Sequence, residues 1–164
     1  MAPQAEAPSG NDIVGRLRSV CGVLRLLQLL LGAGVWVTIA ANRYEGSVHF
    51  ALLVAVLFWL LTMASLAITA LDRQSLVPLI GGERWPLSNL ILDAAASVLY
   101  GPAVGIMAYK TQKNAFCNLE QYKHACHYKA YLTATVFAGL TALAYLLSAL
   151  YRAVTKCRGH TPPA

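Results

Sequence analysis

Two charged residues stand alone inside long apolar stretches, and they are the residues best placed to do chemistry. Arg25 interrupts the run from Ser19 to Asn42, and Asp93 interrupts the run from Trp85 to Tyr109. Arg25 precedes Arg43 by 18 residues and Asp93 precedes Lys110 by 17. If both runs are helices leading to the same membrane surface, each charge lies roughly 25 Å below it, at 1.5 Å of rise per residue. Each also belongs to a polar stripe. Arg25, Gln28 and Gly32 recur at spacings of three and four, as do Asn89, Asp93 and Ser97, and such spacings share one helix face. A lone charge at the centre of a span costs about 2.5–3.5 kcal/mol to insert. Nearly equal depth and opposite sign therefore predict an Arg25–Asp93 ion pair between the first and third helices. The alternative is that Arg25 reaches back to the headgroups while Asp93 contacts backbone or water. A proton or cation route would need ionisable groups in succession across the bilayer, and Asp93 is the sole acid inside any apolar run.

Cysteine offers a second chemistry. Cys117 and Cys126 stand nine residues apart between the last two apolar runs, with His124 and His127 flanking Cys126. In an oxidising loop they favour a disulfide. A zinc site is the competing reading, and the paired ligand spacing it needs is missing. Cys21 and Cys157 lie at the edges of apolar runs, among Arg18, Arg25, Lys156 and Arg158. They read either as palmitoylation sites or as plain reduced thiols. The chain has no Cys-x-x-Cys, phosphate loop, nucleotide fingerprint, paired carboxylates or Ser/His/Asp set. No catalytic residue, metal or cofactor is expected, and the chain reads as a non-enzyme.

The elements that must carry these residues follow from composition. Of 164 residues, 57% are hydrophobic and 12% charged, and the mean hydropathy is +0.54. Soluble domains carry about 25% charged residues. That shortfall argues against a soluble enzyme and a disordered chain. The formal charge of +6 is scattered between apolar runs instead of forming a basic face, which argues against nucleic acid. A bilayer core needs roughly 20 apolar residues per helix. Runs between charges place four spans at about 20–42, 50–71, 86–109 and 130–151, within a transmembrane domain over 19–152. Residues 1–18 read as a flexible tail and 153–164 as a short basic one. Pro86 falls in a first turn, and Pro102 is expected to kink the third span.

Four spans put both tails on one side. That side holds Arg16, Arg18, Arg25, Arg73, Arg84, Arg152, Lys156 and Arg158; the other holds Arg43, Lys110, Lys113, Lys123 and Lys129. Eight against five predicts cytosolic tails, and the cysteine distribution agrees. Small residues gather on the last two spans. Gly101-x-x-x-Gly105 and the Ala134, Ala138, Ala142 series suit close helix packing inside the bundle, or homo- or hetero-oligomerisation. Aromatic residues near the span ends (Trp36, Trp85, Tyr109, Tyr128, Tyr151) read as interfacial belts.

Loop lengths separate four-span families. The first loop is too short for a claudin, and the third lacks the Cys-Cys-Gly of a tetraspanin. The ordered set Gly22-Val23-Leu24-Arg25-Leu26-Leu27-Gln28, Val48-His49-Phe50-Ala51-Leu52, Phe58-Trp59-Leu60-Leu61-Thr62, Leu99-Tyr100-Gly101, Gly105-Ile106-Met107, Cys117-Asn118-Leu119 and Leu146-Leu147-Ser148-Ala149-Leu150-Tyr151 resembles the MARVEL family over residues 20–158. That resemblance implies an all-α, M-shaped four-helix membrane bundle with cytosolic termini. It also implies association with cholesterol-rich membranes and with proteins of vesicle transport or junctions. The expected partners are membrane lipids and other membrane proteins. The expected location is the plasma membrane or vesicles of the secretory pathway. A second reading has the basic tails (Arg16, Arg18, Arg152, Lys156, Arg158) touch acidic cytoskeletal surfaces such as microtubules. A third is a small channel or transporter around Asp93.

Overall fold

The computed structural model describes residues 10–42, 46–71, 82–115 and 128–158. A short helix, α1 (Gly10–Arg18), precedes four long ones: α2 (Val20–Ala40), α3 (Val48–Ala70), α4 (Trp85–Lys113) and α5 (Tyr128–Cys157). A 3-10 turn, Gly82–Arg84, leads into α4. All four long helices have the length and composition to cross a membrane, so the chain is an all-α, multi-pass bundle. The segment from Gly10 to Arg18, which reads as tail in the sequence, is helical and touches α2 and α3. Ser19 separates it from α2: its backbone is extended, and its hydroxyl accepts the Gly22 N–H at 3.2 Å, closing one of the donors a helix start leaves open. Pro86 sits in the first turn of α4, and α4 runs unbroken through Pro102.

The helices pack in a ring, α2 against α3, α3 against α4, α4 against α5 and α5 against α2. Burial picks out one stripe per helix. On α4 it is Asn89, Asp93, Ala96, Tyr100, Ala103, Met107 and Thr111; on α2 it is Gly22, Arg25, Gln28, Gly32, Val35 and Ile39. The outward faces carry the large apolar side chains, with Leu30 73% and Val98 72% exposed. This inverts the arrangement of a soluble bundle, as expected where lipid is the solvent. Five threonine hydroxyls on the spans are satisfied within their own helices: Thr38, Thr69, Thr111, Thr135 and Thr141 each donate to the carbonyl four residues back.

Close approach of α2 falls to glycines that the small-residue motifs do not include. A methyl group at Gly34 would lie 2.9 Å from the Phe137 ring on α5, and one at Gly32 would lie 3.4 Å from Trp59. Gly101 and Gly105, by contrast, face outward with nothing within 4 Å of a Cβ at either. Their reading as packing residues inside the bundle is corrected: helical periodicity gives the buried stripe of α4 to Ala96, Tyr100, Ala103 and Met107. The Ala134 and Ala138 positions do turn inward.

The interior is closed by aromatics. Phe58, Tyr100 and Tyr145 stack with ring centroids 5.7–6.4 Å apart. Trp36 meets Trp59 edge-on at 5.5 Å, and the Trp59 indole donates to the Leu29 carbonyl. Tyr145 shares a 2.7 Å hydrogen bond with Thr62 and donates to the Phe58 carbonyl at 3.2 Å. The buried Tyr100 hydroxyl has no hydrogen-bond partner.

These contrasts predict opposite outcomes for like substitutions. Tyr145→Phe leaves Thr62 without its partner and should cost about 1–3 kcal/mol, whereas Tyr100→Phe removes a hydroxyl that bonds nothing and should be neutral or stabilising. Gly34→Ala should lower stability by about 1–3 kcal/mol through overpacking. Gly101→Ala should be neutral or gain up to about 1 kcal/mol of helix propensity. Thermal unfolding of the four variants in mild detergent checks both comparisons.

Candidate functional site: a charged layer across four helices

Each of the four long helices contributes to one polar layer near the end of the bundle where the tails emerge. Arg25 and Gln28 lie in the second and third turns of α2, Asn89 and Asp93 in the second and third turns of α4. Ser65 comes shortly before the end of α3, and Ser148 and Arg152 shortly before the end of α5. Because the helices alternate in direction, starts and ends meet at one level.

Arg25 is the hub on one side. Its Nη1 donates to Gln28 Oε1 at 2.8 Å and to Asp93 Oδ1 at 2.5 Å, and its Nη2 donates to Asn89 Oδ1 at 2.8 Å. Asp93, with none of its surface exposed, is the hub on the other. Its second oxygen accepts from Ser148 Oγ at 2.6 Å and faces Arg152 Nε at 3.2 Å. Asn89 also accepts from Ser65 Oγ and donates to the Trp85 carbonyl at 3.0 Å. Gln28 reaches across to the Ala144 carbonyl at 3.4 Å. Both carboxylate oxygens are thus engaged, and Arg25 spends its guanidinium on three side-chain oxygens. Without such partners either charge would carry several kcal/mol of desolvation penalty.

The structure brings Arg25 and Asp93 together on the stripes that include Gln28 and Asn89. Ser97 stays partly exposed, and Ala96 and Tyr100 continue the buried face instead. Three members were missed: Ser65, Ser148 and Arg152. Arg152 reads in sequence as one more tail-side charge, yet Thr141, Tyr145, Ser148 and Arg152 recur at spacings of four, three and four, which marks it as part of the inward stripe of α5. Ser65 carries the same signal, following Phe58 and Thr62. Cys21 is half-buried and Cys157 exposed, both as free thiols at the tail end of the bundle. Cys117, Cys126, His124 and His127 lie outside the described residues. Among the described residues no three His, Cys, Asp or Glu side chains gather as a metal set.

Comparison with known proteins decides the family. The family described as "MARVEL: Membrane-associating domain" matches residues 16–151, which includes every residue of the layer except Arg152. The chain belongs to the MARVEL family. MARVEL domain-containing protein 1 of Danio rerio is 65% identical over 143 residues, covering 87% of this chain and 88% of that protein. Plasmolipin of Rattus norvegicus is 34% identical over 140 residues, covering 84% of this chain and 72% of that protein. MARVEL domain-containing protein 1 of Xenopus laevis is 28% identical over 141 residues, covering 82% and 75%. No solved structure matches the chain.

In this MARVEL chain the layer makes a specific demand on mutants. Asp93→Ala leaves two guanidiniums without their shared carboxylate and should destabilise by about 3–5 kcal/mol. A charge swap, Arg25→Asp with Asp93→Arg, should not restore stability, because the new arginine would face Arg152. Adding Arg152→Gln to the swap should recover part of the loss. Detergent unfolding of the single, double and triple variants measures this.

Proposed function

We propose that this chain is a non-enzymatic organiser of membranes, acting in vesicle trafficking or membrane apposition through lateral contacts with lipids and other membrane proteins. One observation carries the reading: the polar side chains of the spans are tied to one another inside the bundle, while the outward faces are lined by large apolar groups. A site committed to substrate turnover or conduction would leave polar groups open to a pathway; here the Asp93 oxygens are already occupied. Family membership and the plasmolipin relatives support the multi-pass membrane part. In this reading the termini are cytosolic, the chain resides in the plasma membrane or secretory vesicles, Cys117 pairs with Cys126, and Cys21 and Cys157 are open to acylation. Outward-facing Gly101 and Gly105 would serve contacts between molecules. The cytoskeletal alternative is weakened, because Arg152 is drawn into the layer and leaves Arg18, Arg84, Lys156 and Arg158 as the exposed basic residues described at the tail end.

The test is depletion of the protein from cells, followed by measurement of how fast a secretory cargo reaches the surface. Delivery should slow and should recover with the wild-type chain. Unchanged delivery and unchanged membrane contacts, or Asp93-dependent ion flux in reconstituted vesicles, would overturn the proposal. In the same cells Cys157 should react with an impermeant maleimide only after permeabilisation, and Cys117 and Cys126 only after mild reduction.

A further inference from the structure

The charged layer does not sum to zero. Two guanidiniums, Arg25 and Arg152, face one carboxylate, Asp93, and no other acidic side chain bonds to them among the described residues. Arg25 donates to three side-chain oxygens and is 3% exposed. Arg152 approaches Asp93 through Nε alone, at 3.2 Å. Its side chain is 11% exposed; Nε is buried against Asp93 without a hydrogen bond, and the two terminal nitrogens are not among the buried, unpartnered atoms.

We propose that Arg152 binds the phosphate of an anionic phospholipid in the leaflet at the tail end of the bundle. Asp93 orients the arginine; the terminal nitrogens are left to the lipid. Three physical points favour this occupant. A guanidinium edge matches two phosphate oxygens, as an ammonium does not. Arg152 stands five residues before the end of α5, about 8 Å along the axis, a depth its long side chain spans to the headgroup level. The exposed basic residues at this end, Arg18, Arg84, Lys156 and Arg158, outnumber the exposed Glu83 and add a net positive surround that draws anionic headgroups. The excess positive charge of the layer is then neutralised by the membrane itself.

The proposal rests on the multi-pass membrane reading and is independent of any trafficking role. The test uses the full-length protein in mild detergent, with retained lipid measured by native mass spectrometry after addition of phosphatidylserine, phosphatidylcholine or the soluble headgroup glycerophosphoserine. Phosphatidylserine should be retained in preference to phosphatidylcholine. Arg152→Gln should reduce that preference about five- to tenfold, Arg152→Lys should reduce it less, and Lys156→Gln should leave most of it. Equal retention of both lipids, or an unchanged preference in Arg152→Gln, would overturn the proposal. So would retention of glycerophosphoserine equal to that of the lipid, which would indicate a soluble phosphate site. Retention of neither lipid would count against the membrane reading itself. Should Arg152→Gln fail to fold, a photoreactive phosphatidylserine added to the wild-type protein decides the question: its label should fall on the peptide containing Arg152, and labelling confined to other peptides would overturn the assignment.

Discussion

A carboxylate at membrane depth must bring its own solvation shell, and the Asp93 side chain sets the terms for the rest of the bundle. Water does not solvate it inside the hydrocarbon, so protein groups must. They come from α2 (Arg25) and from α5 (Ser148 and Arg152), with α3 joined through Ser65 and Asn89. Satisfying one acid therefore fixes the relative height of four helices. A slide of one helical turn would carry a partner about 5 Å away and leave a charge bare. Apolar contact alone gives no such register, because helix association in lipid has little hydrophobic drive.

Packing beyond the layer follows from the same absence of water. What holds the helices laterally is close approach and internal hydrogen bonding. Gly32 and Gly34 let α2 lie against Trp59 and Phe137, and Ala134 and Ala138 thin the inner face of α5. The Phe58, Tyr100 and Tyr145 rings then fill the space between the helices. Hydroxyls that would be costly in lipid are turned back onto their own helices. The large aliphatic side chains are left on the outside, where they match the acyl chains.

Much of this was legible before any coordinates. Apolar runs, two of them broken by a single charge, gave four spans, and the nearly equal chain lengths from Arg25 to Arg43 and from Asp93 to Lys110 gave a depth match between two isolated charges. Spacings of three and four gave Gln28 and Asn89 as their neighbours. Arg152 was not legible in the same way, because an arginine at the end of a span has an ordinary reason to be there, as a topogenic charge. Its membership depends on how α5 is rotated, and that shows only when Thr141, Tyr145 and Ser148 are read as one stripe with it. The Gly101/Gly105 spacing left its two readings, packing inside the bundle or contact between molecules, open for a related reason. A small-residue motif states that close approach is permitted but not which face the helix turns inward, and the polar stripe of α4 had already claimed another face. Cys117 and Cys126 lie outside the described residues, and whether two such thiols pair depends on compartment, a property outside the chain's own physics.

The layer also constrains where function can reside. Groups locked into a register device are poor candidates for turnover, since moving any one of them exposes a buried charge. Variable contacts must then lie on the lipid-facing surfaces, at the outward Gly101 and Gly105, and at the tail end where Arg152 remains partly open. Arg152 belongs to both regions: its inner edge completes the shell of Asp93, and its outer edge meets the membrane surface. Removing its positive charge would not isolate Asp93, which keeps Arg25 and Ser148, but it would take away a link between the buried layer and the headgroups. A bundle built this way can be held firmly in its core and still respond to the lipid around it.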